Sequence, residues 1–214
     1  MDEDIARHIG AVSREIVSRD HDGRLARVLI ATRDYDTTPE DLWDALTNPE
    51  RIPRWLLPVS GDLRLGGTFQ LEGNAGGEIL TCDPPVRLGL TWGMGRDVSW
   101  VDVTLQANTS GGTSLRLEHT AHVPEEFWNQ YGPGATGIGW ELALMGLAIY
   151  LRTGEAVDPQ DALAWPSTEQ GMGFIHQISD AWAEASIEDG TDASQARAAA
   201  EEVARFYTGE EAKP

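Results

Sequence analysis

Residues 34–67, DYDTTPEDLWDALTNPERIPRWLLPVSGDLRLGG, constrain the fold more than any other stretch. They read as the end of a strand, a short capped helix, a second helical turn, and a glycine turn into a new strand. Thr38 is a good N-cap, because its hydroxyl can accept from free backbone amides of the first turn. Pro39 then sits at the first helical position, where its missing N–H costs nothing. Glu40 and Asp41 place negative charge where the helix dipole favours it. Leu42, Trp43 and Leu46 give the helix one apolar face. Asn48-Pro49 ends it. Pro49 to Trp55 form a second short helix, and Gly66-Gly67 turn the chain into a strand.

Strand signals lie on both sides of this stretch. Ser13–Ser18 and Leu25–Asp34 flank His21-Asp22-Gly23, and Asp-Gly is a strong hairpin turn. Strands are predicted near 63–72, 77–82, 87–93, 99–107 and 113–122, each bounded by turn residues. Gly73 to Gly77, Asp83-Pro84-Pro85, Gly93 to Asp97 and Asn108 to Gly112 are those turns. The spacing predicts a curved antiparallel meander. Residues 124–131 read as a turn and helix. A long helix follows from about Thr136 to Arg152, apolar on most sides, which is the pattern of a buried helix.

The "EDLWDALTNPERIPRWLLP…GDLRLGG" stretch, followed in order by "LEGNAGGEI", "PPVRLGLTW", "SWVDVTL" and "LRLEHTAH", resembles the Aha-type branch of the SRPBCC, START-like superfamily. That branch is named after the activator of the heat-shock-protein-ninety ATPase. The resemblance covers roughly residues 12–153. It implies an α+β helix-grip fold, with a curved antiparallel β-sheet wrapped around a long C-terminal α-helix. It also implies a cavity between sheet and helix. One fold hosts many functions, so the site is argued separately.

Residues 154–214 depart from that pattern, so the expected organisation is a helix-grip domain over 1–153 and a helical C-terminal extension over 154–214. Asp158-Pro159 opens a short helix, and Ser167 with Gln170 has capping-box spacing. Phe174, Ile175, Ile178, Trp182 and Ala185 trace a helical stripe. A last helix starts at Asp192 with Ala196, Ala199, Ala200, Val203 and Phe206 inward. Stripes carrying large aromatics are expected to be covered: on the grip domain, in a dimer contact, or at the cavity mouth as a gate.

The formal net charge is −19. Such a surface repels phosphate backbones and anionic membranes, which argues against nucleic-acid binding. No apolar run is expected to reach the roughly 18 residues needed to span a bilayer. The start MDEDIARHIG has early acids and no apolar core, unlike a signal peptide. One cysteine, Cys82, cannot form an internal disulfide, which fits a reducing cytoplasm. One lysine, Lys213, against fifteen arginines is the bias of a GC-rich bacterial genome. The chain is expected to be a monomer or homodimer, with room for a protein partner.

Strand alternation sorts candidate site residues. Leu65, Phe69 and Leu71 share one face, as do Leu88, Leu90 and Trp92. Leu115 and Leu117 share theirs with His119, while Arg116 and Glu118 point to solvent. A neutral imidazole in a pocket could orient a ligand or exchange a proton; equally, His119 could be a satisfied core histidine. Glu141 is surrounded on its helix by Gly137, Ile138, Leu144 and Met145. A buried ionised carboxylate needs a partner, and His119 is the candidate. Such a pair could act as a general base or as a polar pin. Trp128 and Tyr131 precede the long helix and are candidates for a cavity mouth. Gly132–Gly137 matches G-x-G-x-x-G, but it follows a helix rather than a strand, so a nucleotide loop is rejected in favour of a mobile loop beside the cavity. No metal motif or nucleophile elbow is present, and no cofactor is called for.

The leading expectation is binding of a small hydrophobic ligand, lipid- or polyketide-like. The ligand-contacting set is Phe69, Leu71, Leu90, Trp92, Leu117, His119, Trp128, Tyr131, Glu141 and Met145. A second reading, implied by the superfamily, is a cyclase/aromatase-type enzyme using His119 and Glu141. A third, implied by the family name, is a chaperone ATPase regulator acting through its surface.

Overall fold

The computed structural model describes residues 7–94 and 97–210. The acidic start of the chain, the middle of the Gly93–Asp97 turn and Lys213 lie outside the described residues. After a helical turn over residues 7–10 come strands β1 (Val12–His21) and β2 (Arg24–Tyr35). Between them Asp22 and Gly23 both take positive φ, 53° and 76°, the pairing that suits a two-residue hairpin turn. Helix α1 (Pro39–Thr47) is capped as its sequence predicts: Thr38 Oγ1 accepts from Asp41 N at 3.3 Å. The second helical turn is a short 3-10 segment, Ile52–Arg54.

Six strands follow: β3 (Val59–Gly61), β4 (Thr68–Leu71), β5 (Gly76–Asp83), β6 (Arg87–Met94), β7 (Asp97–Ala107) and β8 (Thr113–Ala121). Of the strand expected over 63–72 only β4, Thr68–Leu71, forms, and β3 lies before that range. Residues 62–67 form the turn between them, and Leu65 is exposed rather than on the buried face. Gly67 explains the turn, since a Cβ there would lie 2.0 Å from Asp62 O. Helices α2 (Glu125–Tyr131), α3 (Gly134–Thr153), α4 (Pro159–Ala164), α5 (Glu169–Glu188) and α6 (Ala193–Thr208) complete the chain. The sheet order is β1-β2-β8-β7-β6-β5-β4-β3. This is the α+β helix-grip fold: a curved antiparallel eight-stranded sheet, one long helix, and C-terminal helices.

The contacts fall into two compact units that do not follow the expected boundary at residue 153. The first holds Met1–Ala31, His122–Leu142 and Asp158–Pro214; the second holds Thr32–Ala121 and Ala143–Val157.

In the second unit, the strand register aligns side chains into rows. Ile79 pairs with Leu90, Leu90 with Val101, and Val101 with His119. The neighbouring row is Cys82, Leu88, Val103 and Leu117. Phe69, Leu71, Ile79 and Ile52 form a buried cluster, with Leu88, Leu90 and Trp92 packed against it. Arg51 ties α1 to the end of α3. It donates to Asp41 Oδ1 at 2.8 Å, to Asp44 Oδ2 at 2.9 Å and to the Tyr150 hydroxyl at 2.9 Å. Its guanidinium and that of Arg54 also stack over the Tyr150 ring. This explains why the PEDLWDALTNPER stretch is so dense in acids and arginine. Tyr35, fully buried, donates to Leu144 O at 3.1 Å, and burial pushes its phenol well above its ordinary pKa.

In the first unit, the C-terminal helices pack on the first turns of α3. Phe174, Ile175, Ile178 and Trp182 of α5 are buried, as are Ala196, Ala199, Ala200, Val203 and Ala204 of α6. The glycines of the GPGATGIG run permit that approach. A Cβ on Gly134 would lie 2.7 Å from Val203 Cγ1, and one on Gly137 would lie 2.4 Å from Trp182 Cε2. Tyr207 donates to Ala135 O at 3.1 Å. The glycine run is therefore buried packing surface and the start of α3, not a mobile loop. Two further expectations change. The α5 cap is Thr168, which accepts from Gly171 N at 3.0 Å, not Ser167. Phe206 is exposed, not inward.

Gly134–Thr153 is long and apolar enough to cross a bilayer by length and composition, contrary to the expectation that no run reaches that threshold. In this fold its glycines meet protein atoms and its one carboxylate, Glu141, is paired within the protein. These are the marks of a helix packed in protein.

Gly137→Ala should lower stability by about 2 kcal/mol, because the added methyl overpacks against a fully buried indole. Gly173→Ala, on the exposed face of α5 with nothing within 4 Å, should raise it by roughly 0.5–1 kcal/mol through helix propensity. Urea unfolding of the two variants checks both signs.

Candidate functional site

The buried face of the second unit carries one imidazole among apolar side chains. His119 is 8% exposed and sits at the end of the Ile79–Leu90–Val101 row. Its Nε2 lies 2.8 Å from Ser99 Oγ. Ser99 Oγ in turn lies 2.8 Å from Trp92 O, to which it donates. A serine hydroxyl has one proton, and a carbonyl oxygen can only accept. With that proton given to Trp92 O, Ser99 accepts from His119, so the neutral ring carries its proton on Nε2. Burial pushes the His119 pKa down to about 4, because the charged ring loses its hydration. The side chain is therefore neutral at physiological pH. Of the expected apolar contacts, Phe69 and Leu71 are buried in one cluster with the half-buried Leu90 and Trp92 packed against them, and Leu117 is buried on the strand of His119. The Phe69 and Trp92 rings stand 5.7 Å apart. Met145 is half-buried on the part of α3 that belongs to this unit.

Glu141, Trp128 and Tyr131 belong to the first unit. Glu141 is 1% exposed and is held by a two-pronged fork from Arg14. Arg14 Nε donates to Oε1 at 2.7 Å and Nη2 to Oε2 at 2.5 Å. The same guanidinium donates to Val12 O at 2.9 Å and Ile9 O at 3.2 Å. A planar bidentate pair with further hydrogen bonds to backbone carbonyls is the geometry in which a buried ion pair is tolerated. Trp128 is buried beneath the Arg27 guanidinium, 4.9 Å from its ring. Tyr131 stands in a chain of rings, 5.1 Å from Phe127 and 6.1 Å from Phe206. Each residue of the expected His119–Glu141 pair thus has a partner inside its own unit: Ser99 for the histidine, Arg14 for the glutamate.

Arg14 and Ser99 are the residues that sequence reasoning missed. Arg14 left a signal. It alternates with Val12 and Ile16, both buried, and a cation on an apolar strand face calls for a buried anion elsewhere. Ser99 also shares its strand face with the apolar Val101 and Val103, and only the register brings it to the imidazole.

Comparison with known proteins agrees with this architecture. The family model described as "Activator of Hsp90 ATPase homolog 1-like protein" matches residues 36–152. The chain belongs to this family. Among solved structures, the crystal structure of CalU16 from Micromonospora echinospora is 34% identical to this Hsp90-activator-like chain. The match covers 82% of this chain and 98% of that one, with a TM-score of 0.65. The solution structure of CalU16 gives 33% identity, coverages of 84% and 97%, and a TM-score of 0.70. DynU16, from the dynemicin biosynthetic locus, is 22% identical over 60% of this chain and 48% of that one, with a TM-score of 0.53, a likeness of fold. No curated protein matches the chain.

Two outcomes follow from the geometry. His119 titrates near 4 in the folded state against about 6.5 unfolded. Between those values the unfolded chain binds more protons, so stability falls as pH drops from about 6.5 towards 4, by about 3 kcal/mol in all. His119→Gln should remove that share of the slope in urea titrations at stepped pH. Separately, Arg14→Met should cost about 3–5 kcal/mol by taking the two-pronged cation from buried Glu141, whereas Arg14→Met with Glu141→Leu should recover most of the loss. Thermal unfolding of the single and double variants distinguishes these.

Proposed function

We propose that this Hsp90-activator-like protein binds a small hydrophobic ligand, lipid- or polyketide-like, on the buried sheet face of its second unit. His119 is the polar anchor. Phe69, Leu71, Leu90, Trp92, Leu117 and Met145 supply the apolar contacts. The observation that carries this reading is the His119–Ser99–Trp92 chain of hydrogen bonds on a largely apolar buried face. Ligand sites in proteins are mostly apolar with a few fixed polar groups, and that is the composition here.

The same features weigh against a cyclase-type mechanism through His119 and Glu141. A histidine with a pKa near 4 is a poor base at neutral pH, where catalysis favours a pKa close to the working value. Glu141 already has both oxygens engaged by Arg14. Binding needs neither residue to exchange a proton.

Titration with N-phenyl-1-naphthylamine, a neutral apolar reporter, tests the reading. The dye should bind with a blue shift and enhanced emission. Leu90→Gln should weaken it by roughly tenfold, the cost of placing an amide on an apolar contact surface. Absence of binding, or equal affinity in the variant, contradicts the proposal.

A further inference from the structure

The apolar stripe of α6 runs past the end of its cover. Ala196, Ala199, Ala200 and Val203 are buried. By helical spacing Phe206 lies on the same face as Ala199 and Val203. It is nevertheless 72% exposed. The reason is length: α2, which packs near Ala199 through Gly132, has only seven residues. Its last ring, Tyr131, reaches Phe206 at 6.1 Å and meets Phe127 at 5.1 Å. Phe127 is itself 46% exposed. A strip of three touching rings therefore faces solvent across α2 and α6.

An exposed aromatic strip of this kind marks an interaction surface. Its surroundings select the occupant. Glu125 and Glu126 are exposed in the first turn of α2, and Glu201 is exposed on α6. Glu202, one turn before Phe206, pairs with Arg205, and Glu210, past the end of α6, contacts His176. The whole chain carries −19, so a second copy would be repelled, whereas a cationic surface would be attracted. We propose that the Phe127–Tyr131–Phe206 strip docks a basic amphipathic segment of another protein. The apolar face of that segment would cover the rings, and its lysines or arginines would face the glutamates.

The test uses the full chain and two synthetic peptides: a leucine/lysine amphipathic helix, and a lysine/serine peptide of equal charge. Fluorescence anisotropy should show the leucine/lysine peptide binding at least about tenfold more tightly, the effect of aromatic anchors at an interface centre. Phe206→Ser should lower its affinity to that of the lysine/serine peptide while leaving the melting temperature in place, and Phe127→Ser should act in the same direction. Four results overturn the proposal. These are no binding of the leucine/lysine peptide, equal binding of the two peptides, an affinity unchanged by Phe206→Ser, or a wild-type homodimer in light scattering that Phe206→Ser dissociates. Uptake of the wild type by phosphatidylcholine vesicles, abolished in Phe206→Ser, would also overturn it by assigning the strip to a membrane.

Discussion

A carboxylate fully removed from water has to be matched by a cation in good geometry, and Glu141 is matched by Arg14. That pair links β1 to the first half of α3. It also accounts for why an arginine interrupts the apolar side of β1, between Val12 and Ile16. The pair holds only if α3 keeps its rotation, and the contacts of Gly134 and Gly137 with Val203 and Trp182 fix that rotation from another side. The C-terminal helices are thus part of the first unit's core. Losing either half of the ion pair leaves an uncompensated charge, so the constraint is more a matter of specificity than of net stabilisation.

The second unit follows a different logic. Its buried face is built from largely apolar cross-strand rows, with His119, Ser99 and the fully buried Thr113 among the polar groups on it. Burial keeps the imidazole neutral, and Ser99 fixes which nitrogen holds the proton. A neutral, oriented, weakly basic group in an apolar setting is suited to recognition. Proton transfer would call for a counter-charge or solvent access to bring the pKa towards neutrality, and desolvation dominates here. Membership of the Hsp90-activator-like family fits this layout without determining it, since one scaffold serves several functions.

Much of the fold was legible in the chain because its signals are local. Asp-Gly at the hairpin, Thr38-Pro39 at α1, Asp158-Pro159 at α4 and Asp192 at α6 act through their own backbone neighbours. The strand faces followed from period-two alternation, which placed Leu115, Leu117 and His119 together. What escaped depends on distant residues. Leu65 belongs to a turn because Gly67 closes it. The glycines of GPGATGIG read as a flexible loop until the helices that press on them are known. Phe206 matches the buried stripe in period but outruns the short α2. The partners of Glu141 and His119 depend on packing and register, and alternation alone names a face, not a neighbour.

The central claim is that the buried face of the second unit holds a small apolar molecule, and native mass spectrometry of the freshly purified protein addresses it most directly. The account predicts a bound mass that disappears on denaturation, or that forms after incubation with long-chain fatty acids or fused-ring aromatics. It also predicts that the mass is lost when Leu117 is changed to a charged residue in a variant that still folds. An unmodified protein mass under every condition, with the fold intact, would contradict it.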